Sequence, residues 1–370
     1  MSAPFANTYA DLPVLVTGHT GFKGSWLVTW LLDLGARVIG YSLEEPPTTP
    51  SNFQLSDLAC RVEDVRGDVR DLHHLQQTGA EHRPRLIFHL AAQPIVYHAF
   101  ARPKETLDVN AGGTVNVLEA IRNNTSVQAL VTVTTDKVYE NREWLWGYRE
   151  TDRLGGNDPY GASKAMAELA LSSYRHTYFP PERFQEHGVA IATARAGNVV
   201  GGGDFADYRL VPDCMRALMA GEAIEIRSPH SIRPWQHVLE PLSGYLQLGA
   251  RLLQEGQKYA EAWNFGPNER KGVSVRDVAD KLIELWGSGR WTGVNSELAA
   301  AETGLLRLSW EKAATCLDWR PVYTWEEALA ELVAWFKAFQ REEDMYRVGQ
   351  EHIRAYMRRA REIGVGWATA

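Results

Sequence analysis

A phenol and an ammonium stand four residues apart in Tyr160-Gly161-Ala162-Ser163-Lys164. In a helix that spacing puts both on one face. A fixed positive charge beside a phenol lowers its pKa, so Tyr160 is expected to accept a proton from a sugar hydroxyl near neutral pH while hydride leaves the same carbon. Taken singly, the pair is also what a solvated helix face produces by chance. It gains weight from Thr17-Gly18-His19-Thr20-Gly21-Phe22-Lys23-Gly24, a Gly-x-x-Gly-x-x-Gly run between an apolar strand-like segment and an amphipathic one. Such glycines allow a tight turn and a close backbone approach, and the helix that follows offers N–H groups to a pyrophosphate. A plain glycine-rich turn is the competing reading, and the strand before and helix after weigh against it. Together the two motifs point to hydride chemistry on a nicotinamide dinucleotide.

Gly18, Thr20, Gly21, Phe22, Lys23 and Gly24 are therefore candidate cofactor contacts. About twenty residues on, where a carboxylate would grip the adenosine ribose, the second strand ends Gly40-Tyr41-Ser42-Leu43 without one. Glu44 and Glu45 follow closely, while Ser42 leaves room for a phosphate, so the residues leave NAD and NADP both open; NAD is the cofactor assigned. Asp68 and Val69 end the next strand, placed to meet the adenine, although a loop-capping aspartate reads almost as well.

These residues need a scaffold. Val14-Leu15-Val16, Val38-Ile39, Leu86-Ile87-Phe88 and Leu130-Val131-Thr132-Val133 alternate with longer amphipathic runs, the rhythm of βαβ units. The fold class is α/β, a doubly wound parallel Rossmann sheet with a smaller mixed α/β substrate domain. Gly35 closes the first helix, Leu107, Ala111, Val115 and Leu118 form one helical stripe, and a helix runs from Tyr160 to about Tyr178 before Pro180-Pro181. Residues 1–197, with 238–262 returning, form the dinucleotide-binding domain, and 198–370 the substrate domain.

Composition narrows the class. A chain of 370 residues with 45% hydrophobic and 23% charged residues is an ordinary globular protein. A net charge of −7 argues against nucleic acid as a partner. No apolar run suggests a membrane span or an export signal. Cys60, Cys214 and Cys316 lack any paired spacing and read as buried thiols of a cytoplasmic protein. Eleven histidines without metal spacing predict no metal site, and His73-His74 read as surface residues. Trp144 and Trp146 fit a core or a pocket wall equally.

The glycine loop, Leu90-Ala91-Ala92-Gln93, Asn110 with Gly113-Thr114, Thr134-Thr135-Asp136, and Tyr160 with Lys164 together resemble the extended short-chain dehydrogenase/reductase superfamily over nearly the whole chain. More narrowly, Thr135-Asp136-Lys137, Asn141-Arg142-Glu143-Trp144, Trp146-Gly147-Tyr148-Arg149-Glu150, Arg195-Ala196-Gly197-Asn198-Val199 and Ser231-Ile232-Arg233-Pro234-Trp235-Gln236-His237 are similar to the CDP-glucose 4,6-dehydratases. The resemblance implies a catalytic set of Thr135, Asp136, Lys137, Tyr160 and Lys164, with Asp136 protonating a departing sugar hydroxyl. It adds Leu90, Ala91, Ala92, Asn110 and Thr134 to the cofactor contacts, with Lys164 also on the nicotinamide ribose.

The implied cycle oxidises the hexose at C4, eliminates water across C5 and C6, and returns hydride to C6. Related dehydratases carry Glu where Lys137 stands, so Lys137 is either a base at C5 or a cation stabilising the enolate, unless it is a plain surface lysine. For substrate, the resemblance implies Gln93, Asn198, Arg209, Arg233 and His237, the arginines suiting a diphosphate; packing or ion pairing explains several of them equally. CDP-glucose is the expected partner, and a homodimer or homotetramer is expected through the helices carrying Leu107 to Leu118 and Tyr160 to Tyr178. A nucleotide-sugar 4-epimerase is the first alternative, disfavoured because epimerisation leaves Asp136 and Lys137 idle. A non-catalytic dinucleotide-binding module is the second, disfavoured by the presence of both Tyr160 and Lys164.

Overall fold

Short runs of β-branched and aliphatic residues that are apolar on both faces can only be strands covered from both sides. The computed structural model, which describes residues 4–268, 272–294 and 306–369, has seven of them in one parallel sheet. They are β1 (Pro13–Thr17), β2 (Arg37–Ser42), β3 (Glu63–Arg66), β4 (Leu86–His89), β5 (Ala129–Val133), β6 (Ala190–Ala196) and β7 (Ala262–Phe265). Their order is β7-β6-β5-β4-β1-β2-β3, so the chain direction across the sheet reverses between β1 and β4. In open α/β sheets a ligand crevice forms at that reversal, beyond the carboxyl ends of the strands. The doubly wound fold expected from the sequence is what the structure adopts.

The main helices are α1 (Phe22–Asp33), α2 (Leu72–His82), α3 (Gly113–Arg122), α4 (Pro159–Thr177), α5 (Leu210–Ala220), α6 (Leu239–Tyr259), α7 (Val275–Trp286), α8 (Trp325–Gln340) and α9 (Met345–Glu362). One core lies between the sheet and α1, α6 and the C-terminal helices, and includes Trp26, Trp30, Tyr245 and Trp335. A second, on the face of α2, α3 and α4, includes Leu15, Ile87, Leu130 and Leu171. Of the described helices, none is long and apolar enough to cross a membrane.

The structure departs from the sequence reading in four places. The single stripe from Leu107 to Leu118 is broken by a π-turn at Asp108–Gly112, which buries Asn110 and Ala111 and leaves Val115 half-buried; such bulges recur at functional sites. The return to the sheet continues past residue 262, because β7 pairs with β6 through Phe265. α9 lies on α1, where Gln350 and Arg354 bond Asp33, so the C-terminus belongs partly to the dinucleotide-binding half. Only Cys214 is a buried thiol; Cys60 and Cys316 face outward from short helical turns.

Candidate active site

The glycine loop connects β1 to α1 above the sheet's reversal point. Gly18 has φ +76°, and a β-carbon there would sit 2.6 Å from the Ala91 nitrogen; one on Gly24 would sit 2.1 Å from the Gly18 carbonyl. Loop, α1 and the Leu90–Ala91 turn therefore fit together only as glycines. Gly21 caps α1 with no side-chain hydrogen bond, leaving its first N–H groups directed at the crevice. Thr20 N donates to Ser42 Oγ at 3.4 Å, so the end of β2 is tied to the loop. Below it, Thr17 Oγ1, His89 and Thr114 form a buried chain of 2.7 and 3.1 Å contacts, and burial holds His89 neutral, down to about 3.

At the adenosine end Asp68 is engaged by Arg70, and Tyr41 donates to the Asp68 carbonyl. Val69 packs inward while its carbonyl accepts from Asn116. At the other end Asn110 is wholly buried: it accepts from Gln93 N at 2.8 Å and donates to Ser163 Oγ at 2.9 Å. The Gln93 side chain is itself occupied by Thr106 and Ile95 N. Asn110 and Gln93 thus brace α4 against the turn after β4.

The five residues that the resemblance implies for catalysis lie together in the structure. α4 starts at the cap Asp158, which accepts from Gly161 N at 2.8 Å, and the helix brings Tyr160 and Lys164 to one face. β5 runs on into Thr134, Thr135 and Asp136; Thr135 Oγ1 donates to Asp136 Oδ1 at 3.0 Å, and the Tyr160 phenol lies beside it. Gly197 passes so close to Asp136 that a β-carbon would lie 2.8 Å from its Oδ2 and 3.4 Å from Pro234, bringing the Arg233-Pro234 segment to the same spot. Lys137 Nζ lies 3.4 Å from Asp158, which ties this lysine to the cap of the catalytic helix.

Electrostatics there are set by burial. Burial raises the Asp136 carboxyl from its ordinary value, against the pull of Thr135, Lys137 and Lys23. Lys164 is pushed down to about 8 by burial, while Glu168 pulls it up. Tyr160 is pushed up to about 12 by burial, although the neighbouring Thr135 and the charge of Arg209 lower it. Burial thus works against the expectation of a phenol held low by its lysine neighbour, and the Lys164 ammonium donates to the Val133 carbonyl at 3.2 Å.

Lys23 lies over the Tyr245 ring at 5.9 Å, within reach of the charges of Arg209, Asp136 and Lys164. Burial, Arg209 and Lys164 push it down to about 7, and Asp136 opposes them. The glycine pattern hides this, since the motif says nothing of where the side chain between its last two glycines goes. Arg209 flanks the site from the start of α5, paired with Asp204 at 3.0 Å. Asn198 is exposed beside Gly197. His237 is elsewhere: it is 1% exposed, packs on Trp26 and Tyr323, and accepts from Leu239 N, so it has no free face for a phosphate.

The sequence model for GDP-mannose 4,6 dehydratase matches residues 15–332. The chain belongs to that family. It is 46% identical over 351 residues to CDP-glucose 4,6-dehydratase of Salmonella typhimurium, covering 95% of this chain and 98% of that protein. A dTDP-glucose 4,6-dehydratase of Xanthomonas campestris is 26% identical, over 87% of this chain and 92% of its own. Among solved structures, dTDP-glucose 4,6-dehydratase of Bacillus anthracis in complex with NAD superposes with a TM-score of 0.74 at 24% identity, covering 90% and 99% of the two chains. UDP-glucose 4-epimerase of Thermotoga maritima superposes equally well, at 0.74 with 23% identity over 89% and 100%. The family fold thus serves epimerases and dehydratases alike, and the residues on it must separate them.

Proposed function

We propose that the protein is a CDP-glucose 4,6-dehydratase that converts CDP-glucose to CDP-4-keto-6-deoxy-glucose and water with NAD as its cofactor. One observation carries the reading: a buried carboxyl, Asp136, bonded by Thr135, stands beside the Tyr160–Lys164 pair. An epimerase has no step for such an acid. The end-to-end identity of 46% to a CDP-glucose enzyme supports the choice of nucleotide.

The glycine-only packing of the loop on Ala91 and the uncapped start of α1 fit a dinucleotide pyrophosphate. That loop, with Ser42, Asp68 and Val69 toward the adenosine and Leu90, Ala91, Ala92, Asn110 and Thr134 toward the nicotinamide, would hold NAD, which when bound would supply a hydride acceptor for C4 of the hexose and the donor for C6. Tyr160 accepts the C4 hydroxyl proton, with Lys164 on the same helix face lowering the cost of its charge. Asp136 gives its proton to the C6 hydroxyl as it leaves. Lys137, tethered by Asp158, takes the C5 proton as the C6 hydroxyl leaves, faces the enolate with the charge so gained, and returns that proton to C5 as hydride reaches C6. Arg209 and Arg233 take the diphosphate, and Asn198 and Gln93 border the sugar.

The direct test offers purified protein and NAD separately with CDP-, UDP-, TDP- and GDP-glucose, and reads products by mass. Water loss from the CDP sugar alone, abolished in Tyr160→Phe, is the expected result. Conversion to a galactose isomer without change of mass would make the protein an epimerase. We also propose that it works in the cytoplasm, on deoxysugars for surface polysaccharide, as a homodimer or a homotetramer built from dimers. Met166 and Leu169 on α4, Tyr178 just past its C-terminus and the nearby Phe100 are apolar and 45–59% exposed, a face suited to a second copy.

A further inference from the structure

One turn beyond Lys164, on the same face of α4, lies Glu168, so Tyr160, Lys164 and Glu168 form a single line at intervals of four. Its carboxylate is wholly enclosed and fully bonded. Thr134 Oγ1 donates to Oε1 at 2.6 Å and Thr193 Oγ1 to Oε2 at 2.8 Å. Arg195 approaches from β6 with Nε on Oε1 and Nη2 on Oε2, both at 2.8 Å, the two-pronged geometry that fixes a carboxylate in one plane. Arg195 in turn donates to Tyr139 Oη at 2.7 Å and to the Glu150 carbonyl, and Tyr139 donates to Asn264 on β7. The Arg195 and Glu168 side chains are 4% and 3% exposed. Glu168 thus joins the catalytic helix to the ends of β5, β6 and β7, directly beneath Thr135 and Asp136.

We propose that Glu168 is a positioning residue of the hydride-transfer pair: its oriented carboxylate keeps Lys164 in the ammonium form and pins the strand end that carries Thr135 and Asp136. This rests on the dehydratase reading above. Burial is the force to be overcome, since it disfavours a charged lysine. The other groups around Lys164 do not supply the missing anion. Lys23 from α1 and Arg195 and Arg175 beside Glu168 are basic groups, His89 from β4 is held neutral, Tyr160 is a phenol pushed up by burial, and burial raises the Asp136 carboxyl beyond β5. Arg195 makes Glu168 dependable: burial raises the carboxyl, but the guanidinium and the two hydroxyls outweigh it and hold Glu168 below its ordinary value.

The test is the pH profile of kcat for water loss from CDP-glucose, paired with the pH dependence of Kd for NAD in the absence of sugar. A lysine that must be charged gives a basic limb, where activity and affinity fall as pH rises through its pKa. Glu168→Gln, which keeps the shape and removes the charge, is expected to move that limb to lower pH by about one unit or more. Glu168→Asp withdraws the charge by one methylene and should place it between Glu168→Gln and the parent. Thr193→Val removes a bond to the carboxylate without altering any charge and should leave the limb in place.

A limb unmoved in Glu168→Gln overturns the proposal, as does one that Thr193→Val moves as far. Should Glu168→Gln not fold, Glu168→Asp decides: an unmoved limb overturns, a lowered one supports. The Kd series separates this from the functional reading. A parent protein that never loses water from CDP-glucose, yet whose NAD affinity shows the shifted limb in Glu168→Gln, would sink the dehydratase and leave Glu168 in its role.

Discussion

Glu168 and Glu240 are both buried glutamates, 4% and 1% exposed, and their surroundings are opposites. Glu168 has a guanidinium across from it and is held charged. Glu240, near the start of α6, accepts from Val322 N, Tyr323 N and the Tyr356 hydroxyl and pairs with no cation among the described residues; burial pushes it up to about 7. The first sits under reacting groups, where a fixed charge does something that a neutral group cannot. The second clamps the C-terminal helices to α6, where only hydrogen bonds are needed. A buried carboxylate therefore marks electrostatic work only when the fold also supplies its counter-charge.

Removing that counter-charge should produce the largest effect. Arg195→Met leaves Glu168 buried and unpaired, and unpaired buried charges cost about 3–5 kcal/mol. Chemical denaturation at pH 7.5 should record a loss of that order. If Arg195→Met were as stable as the parent, Glu168 would be no different in kind from Glu240.

The pH dependence of stability should come next. Glu240 has a folded value of about 7 against an ordinary 4.5, so between those limits the folded protein binds more protons than the unfolded one. Its contribution is present in full below about pH 4.5, declines as pH rises, and is gone above about 7; the difference is roughly 3 kcal/mol. His89 and His237, both held neutral at about 3, pull the other way, because the unfolded chain protonates them below about 6.5. The measurement is therefore the stability of Glu240→Gln minus that of the parent at pH 5 and pH 8, which should shift in favour of the variant as pH rises. A flat difference would mean that Glu240 is charged throughout, like Glu168.

These two clusters also show what the sequence could and could not convey. The sheet was legible because its strands are continuous apolar runs, and the Tyr160–Lys164 pair and glycine loop because their spacing is local. Glu168 shares the i+4 spacing with Lys164, so its place on the helix face could have been read; its partners Thr134, Thr193 and Arg195 come from two other strands, and no local pattern joins them. Lys23 was visible as a residue but not as a neighbour of the Asp136 and Lys164 charges, since the loop's backbone determines where it points. The π-turn at Asn110 was illegible for the same reason: a bonding network with Gln93 and Ser163 displaced the regular period. His237 looked like a ligand contact from a motif, yet tertiary packing took it into the core.

Single hydroxyls sharpen the contrast further. Thr193→Val removes a hydrogen bond to a charged acceptor and should cost about 1.5–3 kcal/mol, nearly the same at pH 5 and pH 8 because Glu168 stays ionised at both. Urea titrations at the two pH values check this, and a cost that vanished at pH 5 would mean that Glu168 takes up a proton after all.

Tyr356→Phe should have the smallest effect and the most telling one. At pH 5 Glu240 is neutral, and losing the Tyr356 bond to it should cost about 0.5–1.5 kcal/mol; at pH 8 the acceptor is a carboxylate and the cost should rise to about 1.5–3 kcal/mol. The same logic requires the variant's stability to fall more steeply with pH than the parent's, since a carboxylate stripped of a donor holds its proton more tightly. Fluorescence-detected unfolding at the two pH values can resolve the difference. A cost equal at both would place Glu240 in one protonation state across the range, and the hydrogen-bond clamp would have to be explained without a titrating carboxyl.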